Sequence, residues 1–254
     1  MLKKFLLLVP AMLFMAVVSF AQQPCSTDEH YRELVKKHPE LLEYEKQFQE
    51  QMKAVLGRKT AAPPDTTTYD VPIVVHIVHD YGAENIADNV IFDAVSNWAE
   101  VFMAENSDTS AVIDPFKPYV GNPRMRLHLA TKDPNGNPTK GIVRTQSYLT
   151  FTADDQAKFE SWPNNQYINI WFINKFGSSG AAAYAYYPSS GASMPYYDGV
   201  IGLYTYEDYA KVIPHELGHV LNLAHVWGST NNPAVACGDD NVDDTPPTMG
   251  HTPV

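Results

Sequence analysis

The alternation of apolar and polar residues predicts several strands of one sheet. Val71 to His79 is almost entirely β-branched and apolar, which is typical of a buried strand. Met125 to Leu129 alternates apolar with polar side chains, as a half-exposed strand does, and Tyr167 to Ile173 is an apolar run of strand length. Two more extended segments, Tyr184 to Tyr187 and Val200 to Tyr206, flank a stretch rich in Gly, Ser and Pro. We expect these five segments to share a sheet.

Helical spacing of apolar residues appears in three places. The first is near the N-terminus, where Thr27 can cap one helix and Pro39 can begin a second that runs to about Val55. The second place is a helix that is predicted to end by Asn106. Its apolar residues are Ile86, Val90, Ala94, Trp98 and Val101. The third is predicted from about Lys211 to Leu221. The order of strands and helices predicts an α/β or α+β fold, with a mixed sheet, a backing helix and a second long helix.

The N-terminal residues 1–21 have the pattern of a signal peptide. Lys3 and Lys4 precede an apolar run from Phe5 to Phe20, and cleavage is expected after Ala21. The alternative is a membrane anchor, but no stop-transfer pattern follows. Cys25 lacks the preceding small apolar residues of a lipidation site. We therefore expect a secreted, extracellular protein, with the periplasm or cell surface as other destinations, and no stable membrane association after cleavage.

A composition change divides the exported chain. Residues 22–58 are predicted to form an amphipathic helical segment, which we call the pro-region, and residues 59–69 are rich in Thr, Ala and Pro and are predicted to be an exposed linker. A main domain is expected over residues 70–254. A helical piece joined by a cleavable linker indicates a propeptide, and an ordinary helical extension remains the alternative.

Charge and cysteine content exclude several classes of function. The formal charge of the chain is −11, and it becomes −13 when Lys3 and Lys4 are removed with the leader. Such a surface disfavours nucleic acid and anionic membranes as partners. Two cysteines, Cys25 and Cys237, are too few for a scaffold framed by disulfides.

The third predicted helix carries a metal-binding motif. His215 and His219 are four residues apart, so on a helix both imidazoles can face one ion. Glu216 can reach a metal-bound water as a general base. A catalytic zinc needs a third protein ligand, and His225 can supply it if the chain leaves the helix at Asn222, a residue type that tolerates a left-handed turn. Pro214 is compatible with a first helical turn.

This motif, together with a second segment, resembles the metzincin clan and within it the pappalysin-like peptidases. The second segment runs from Cys237 to Pro247 and is similar to the Gly-Asp-x-Val-x-Asp-Thr-Pro stretch of that family. The resemblance implies a metzincin-like five-stranded mixed sheet with His215, His219 and His225 as zinc ligands and Glu216 as base and acid. It also implies that Ala181 to Tyr187 is the sheet edge on which a polypeptide substrate lies extended.

Other expectations from the resemblance concern the C-terminal part. Trp227 is expected beside the third ligand, with plain core packing as the alternative. The family's later turn with its methionine has no match before Val254, since Met249 is too close to the second segment and His251 is expected to be a solvent residue. A C-terminal subdomain that is incomplete in this way would support the zinc less well.

The two cysteines and the acidic segment leave further alternatives. The resemblance implies that Cys237 pairs with a cysteine further downstream. This sequence has no cysteine after Cys237, so Cys25 is the sole intrachain candidate for a disulfide with it. Cys25 could instead bind the zinc from the pro-region and block the water site, or remain a free or mispaired thiol. Calcium binding and a solvated acidic loop are both open for the four acidic residues of the segment, Asp239, Asp240, Asp243 and Asp244.

The sequence therefore predicts a secreted zinc metalloendopeptidase that hydrolyses peptide bonds with a zinc-bound water activated by Glu216. One alternative is a secreted zinc-binding module with weak or no catalysis. Another is a structural zinc site closed by Cys25 as a fourth ligand.

Overall fold

The fold was analysed in a computed structural model that describes residues 25–59, 66–178, 180–207, 211–232, 234–242 and 245–250. The predicted signal peptide, most of the predicted linker, Asp243, Asp244 and His251 lie outside the described residues. No helix in the described ranges has the length and apolar character needed to cross a membrane.

The core of the fold is a mixed six-stranded sheet. Its strands are β1 (Tyr69–His79), β2 (Met125–Leu129), β3 (Ile142–Gln146), β4 (Ile168–Ile173), β5 (Ala183–Ala185) and β6 (Val200–Leu203). Their order is β2-β1-β4-β6-β5, and β3 also pairs with β1. Every pairing is parallel except that of β5 with β6, so β5 is an antiparallel strand at one edge. The predicted fold class is confirmed.

Strand β3 is the sixth strand, and the sequence pattern did not predict it. Its residues Ile142–Gln146 are mostly half-buried, and its apolar positions are confined to the first two. A strand this short and polar has no clear alternation. The long central strand β1, in contrast, is buried along most of its length because neighbours cover it on both sides, and this is why its sequence is a continuous apolar run.

The helices are α1 (Thr27–Lys37), α2 (Leu41–Lys59), α3 (Asp88–Phe102), α4 (Pro188–Ser193) and α5 (Val212–Val220). The predicted backing helix is α3 and the predicted metal-binding helix is α5. The short helix α4 lies within the stretch rich in Gly, Ser and Pro that separates two of the predicted extended segments. Thr27 was expected to cap α1 but is its first residue; Ser26 precedes it at the cap position, and the Thr27 hydroxyl bonds elsewhere.

Hydrophobic residues pack on both faces of the sheet. On one face, Ile170 and Phe172 of β4 join a cluster with Trp98 of α3 and with Ile213 and Leu217 of α5. On the other face, a second cluster contains residues of the sheet and of the pro-region helices, among them Trp171, Ile173, Tyr184, Leu34 and Leu41. The pro-region is therefore part of the hydrophobic core of this form of the chain. The helix α5 lies under the edge strand β5.

Candidate metal centre

Helix α5 positions the first two histidines. Val212, Ile213 and Leu217 are buried and fix the apolar face of the helix against the sheet. His215 and His219 lie one turn apart on another face. The helix begins and ends within a residue of the predicted bounds, and Pro214 lies in its first turn, where its missing N–H breaks no helical hydrogen bond.

The chain leaves α5 through a left-handed residue, as the motif predicts. Asn222 has a φ of 72°, and the amide of Leu223 donates to the carbonyl of Gly218 at 2.9 Å, which closes the last turn of the helix. A continuing helix would carry the chain past the site. The turn instead reverses the chain and returns His225 to the first two histidines.

The three imidazoles converge through their Nε2 atoms. The Nε2 of His215 lies 3.2 Å from the Nε2 of His219 and 3.2 Å from that of His225. The far side of His219 is anchored, because its Nδ1 lies 2.7 Å from the carbonyl oxygen of Leu223. Two nitrogen ligands of a tetrahedral zinc with bonds of about 2.0–2.1 Å are separated by about 3.3 Å, so the arrangement fits that ion.

Cys25 completes a group of four potential ligands. Its Sγ lies 3.5 Å from the Nε2 of His219, and the ligand atoms of Cys25, His215, His219 and His225 all lie within 4.8 Å of one another. Burial and the nearby Glu216 raise the pKa of the Cys25 thiol. A bound dication would oppose both effects, since a thiolate is the form that coordinates metal.

Both cysteines are free thiols in the structure. Cys25 is half-buried at the site, whereas Cys237 is exposed. A disulfide between them is therefore not formed.

Glu216 lies beside these ligand atoms and is almost completely buried. The exposed fraction of Glu216 is 1%. Its Oε2 accepts a hydrogen bond from the Thr27 hydroxyl at 3.0 Å and lies 3.5 Å from the Sγ of Cys25. Burial raises the pKa of Glu216 to about 7, so its carboxylate can take and return a proton near neutral pH.

Lowered pKa values favour the neutral form of His215 and His219. Burial and the neighbouring histidines lower the pKa of His219 to about 3. A neutral imidazole keeps the lone pair on Nε2 that a metal ion requires. The ring of Trp227 stacks on that of His225 with centroids 4.7 Å apart, as the sequence predicts for a residue beside the third ligand.

Sequence reasoning missed three residues that contact this centre. Asp28 accepts a hydrogen bond from the Nδ1 of His225 at 2.8 Å, and the hydroxyl of Tyr187 donates to the same carboxylate at 3.2 Å. Thr27, the third, donates to Glu216. Each contact joins residues about 160 to 200 positions apart, and no local pattern marks such a pair.

The beginning of the pro-region lies along the sheet edge. The amide of Ser26 donates to the carbonyl of Ala183 at 3.4 Å, and the amide of Ala185 donates to the Thr27 hydroxyl at 2.9 Å. Ala183 and Ala185 belong to β5, which is the edge strand inside the predicted range from Ala181 to Tyr187. This edge is therefore occupied by the chain's own residues.

The acidic segment folds on itself in the part that is described. Asp239 accepts a hydrogen bond from the amide of Asn241, and Asp240 accepts bonds from the amide of Val242 and the hydroxyl of Thr245. Met249 is exposed. Calcium binding by this segment stays a prediction.

The chain is similar to proteins of known structure and to one protein family. The family model described as pregnancy-associated plasma protein-A, a peptidase family, matches residues 151–253. Mature mirolysin from Tannerella forsythia, solved in complex with a cleaved peptide, is 31% identical with a TM-score of 0.67, over 74% of this chain and 75% of that one. The chain belongs to the pappalysin-like metzincin peptidases.

Two further solved structures are similar to this chain. A mutant of T. forsythia promirolysin is 28% identical with a TM-score of 0.75, over 90% of this chain and 76% of that one. The larger share of this chain that the pro-form covers fits a helical pro-region at its N-terminal end. Mirolysin in complex with compound 9 matches as the mature enzyme does, at 31% identity with a TM-score of 0.67, over 74% of this chain and 75% of that one. None of the curated proteins matches the chain significantly.

Proposed function

We propose that this metallopeptidase is the latent form of a secreted zinc endopeptidase, with His215, His219 and His225 as metal ligands and Glu216 as general base and acid. The observation that carries the proposal is the convergence of three imidazole nitrogens beside a buried carboxylate. The donor set of three histidines suits a catalytic zinc that keeps one position for water.

Glu216 transfers the protons during peptide-bond hydrolysis in this proposal. Zinc, when bound, supplies Lewis acidity and lowers the pKa of a coordinated water to about 7. The Glu216 carboxylate accepts the proton of the attacking water at Oε2 and later delivers it to the amine of the leaving peptide. In the latent form, with Cys25 and Thr27 beside the carboxylate, burial raises the pKa of Glu216 to about 7.

The substrate in this proposal is a polypeptide bound extended along β5. The outward groups of this strand, the carbonyl of Ala183 and the amide of Ala185, can bond the backbone of any sequence. These are the groups that Ser26 and Thr27 contact in the latent form. Substrate and pro-region therefore compete for one surface.

Latency follows from the position of three neighbouring residues of the pro-region. Cys25 lies at the metal ligands, Thr27 bonds to Glu216, and Asp28 bonds to His225. Together they contact His219, Glu216 and His225, the residues that would bind the zinc and activate the water. Removal of the pro-region then opens the site.

The experiment that tests the function compares the wild-type chain with Glu216→Ala. Zinc content is measured by atomic absorption, and cleavage of casein is followed before and after limited proteolysis of the full chain. We expect about one zinc per chain in both proteins. We expect casein cleavage after proteolysis by the wild type alone, with a loss on the order of a hundredfold or more in the variant. Equal cleavage by both proteins would contradict the role of Glu216.

The position of Cys25 favours a second candidate function, a closed structural zinc site with four protein ligands. In that case both proteins would contain zinc and neither would cleave casein at any stage. Exchange of Cys25 would then lower zinc affinity without producing activity. The same measurements therefore separate the two candidates.

A further inference from the structure

One carboxylate of the pro-region connects the third histidine to a tyrosine of the main domain. Asp28 accepts a hydrogen bond from the Nδ1 of His225 at 2.8 Å through Oδ2 and one from the Tyr187 hydroxyl at 3.2 Å through Oδ1. The side chain of His225 is 5% exposed and that of Asp28 15%. His225 and Tyr187 therefore face the same small, mostly buried space, which the Asp28 carboxylate fills.

Asp28 belongs to the pro-region, whereas its two hydrogen-bond partners, His225 and Tyr187, belong to the main domain. Asp28 lies in the first turn of α1 and leaves with the pro-region. Tyr187 lies two residues after the end of β5 and immediately before Pro188, the first residue of α4, so it stays with the sheet. Its ring is further held by an edge contact with His219, with centroids 5.6 Å apart.

A metal-binding histidine needs an acceptor for its second ring N–H. That acceptor orients the ring, and its loss typically costs 10–100-fold in metal affinity. The Nδ1 of His219 has such an acceptor in the carbonyl of Leu223, which is part of the domain. For His225, the acceptor is a side chain of the pro-region. Trp227, stacked on the ring of His225, cannot replace it because indole only donates hydrogen bonds.

We propose that Tyr187 is a positioning residue that replaces Asp28 as the hydrogen-bond partner of His225 when the pro-region leaves, directly or through one water molecule. The inference rests on the proposed function, because it requires His225 to bind the metal. A hydroxyl can accept a bond from the imidazole N–H and still donate to water. Both groups already contact one carboxylate, so a single water in its place can bridge them.

The test measures zinc release from the full chain, so it does not depend on peptidase activity. Zinc-loaded wild type and three variants, Asp28→Ala, Tyr187→Phe and the double variant, are mixed with the chelator 4-(2-pyridylazo)resorcinol, and the absorbance of its zinc complex is followed. Tyr187→Phe removes the hydroxyl and keeps the ring that contacts His219. Asp28→Ala imitates the departure of the carboxylate.

We expect the two substitutions to be strongly non-additive. Tyr187→Phe alone should change the release rate by less than about twofold because Asp28 still holds His225, and Asp28→Ala alone should raise it by about threefold. The double variant should release zinc about 10–100-fold faster than the wild type, which is the usual cost of losing such an acceptor. Tyr148→Phe, at an exposed tyrosine, is the control in the Asp28→Ala background and should add nothing.

The possible results separate this inference from the proposed function. If the double variant releases zinc at the rate of Asp28→Ala, Tyr187 does not support His225 and the inference fails while the function stands. Additive effects of the two substitutions would also overturn it, because a structural role acts equally in both backgrounds. A wild-type chain that holds no zinc would overturn both.

Discussion

The burial of the Glu216 side chain sets the pKa of its carboxyl group. An isolated carboxylate pays a large desolvation cost in a protein interior, and its pKa rises accordingly. For Glu216 the rise is from 4.5 to about 7. At the scale of the residue, the same burial that suits a general base also makes the charged form of Glu216 costly for the zinc-free fold.

This cost predicts how the stability of the zinc-free chain depends on pH. The folded-state pKa of Glu216 is raised, so its contribution to stability is fully present below pH 4.5 and is lost as pH rises through about 7. Relative to wild type, Glu216→Gln should gain about 3 kcal/mol in the free energy of unfolding across this window. Urea unfolding at a series of pH values measures it.

Two comparisons make this test specific. The other ionisable groups are present in both proteins, so the difference between them reports on Glu216. Glu50→Gln, at an exposed glutamate, should show no such gain. A difference between wild type and Glu216→Gln that stays constant from pH 4 to pH 8 would contradict the prediction.

Asn222 permits a second prediction at the same scale. Its φ of 72° is costly for residues with a branched or simple β-carbon and free for glycine. Asn222→Ala should therefore lower the free energy of unfolding by about 1 kcal/mol, whereas Asn222→Gly should leave it within about 0.5 kcal/mol. Chemical denaturation of the matched pair measures both, and equal stability of the two variants would refute the role of the left-handed turn.

At the scale of elements, the pro-region helices pack against the face of the sheet opposite α5, and α2 also contacts α4. Leu34 of α1 and Leu41, the first residue of α2, are buried in one cluster with Trp171 and Tyr184. The imidazole of His30 adds a stack on Tyr184 with ring centroids 3.7 Å apart. These contacts place Cys25 and Asp28 at the metal centre, because both residues lie at the start of the same helix.

Substitution of Leu34 therefore tests whether packing on the sheet holds the pro-region in place. Leu34→Ala removes a leucine that is 3% exposed, and such truncations typically cost about 2–5 kcal/mol. We expect faster hydrogen exchange in α1, measured by mass spectrometry, with little change in α3. Leu42→Ala is the matched control because Leu42 is 55% exposed. Equal exchange in the two variants would contradict this attachment.

The parts of this molecule that the sequence predicts are local in the chain. The bounds of α5, the turn at Asn222 and the long strand β1 each follow from a few consecutive residues. The contacts of Thr27, Asp28 and Tyr187 join distant segments, and β3 pairs with β1 although its own residues lack alternation. The metal-binding motif on α5 could thus be predicted from the sequence. The residues that contact this motif from other segments could not, because their positions depend on the order of the strands in the sheet.

At the scale of the whole molecule, Cys25, Thr27 and Asp28 bring the start of the pro-region into contact with the candidate site. The Sγ of Cys25 lies 3.5 Å from the Nε2 of His219, and Thr27 and Asp28 form hydrogen bonds with Glu216 and His225. Loss of the thiol would remove one ligand and leave those bonds in place. Latency should therefore weaken without disappearing.

This expectation is tested with the two cysteines of the chain. Cys25→Ala should raise the rate of casein cleavage by the unprocessed chain by roughly tenfold, which corresponds to about 1.4 kcal/mol of pro-region binding. Cys237→Ala is the control, because Cys237 is exposed and free, and it should leave the rate unchanged. Identical rates for the two variants would show that the thiol does not inhibit.

The short edge strand β5 also bears on self-association. An uncovered strand edge presents unpaired amides and carbonyls that can bond to an edge of another molecule, which is a common start of aggregation. In the present form Ser26 and Thr27 cover that edge. If the pro-region is removed as proposed, the edge that becomes free to hold a peptide also becomes open to self-association.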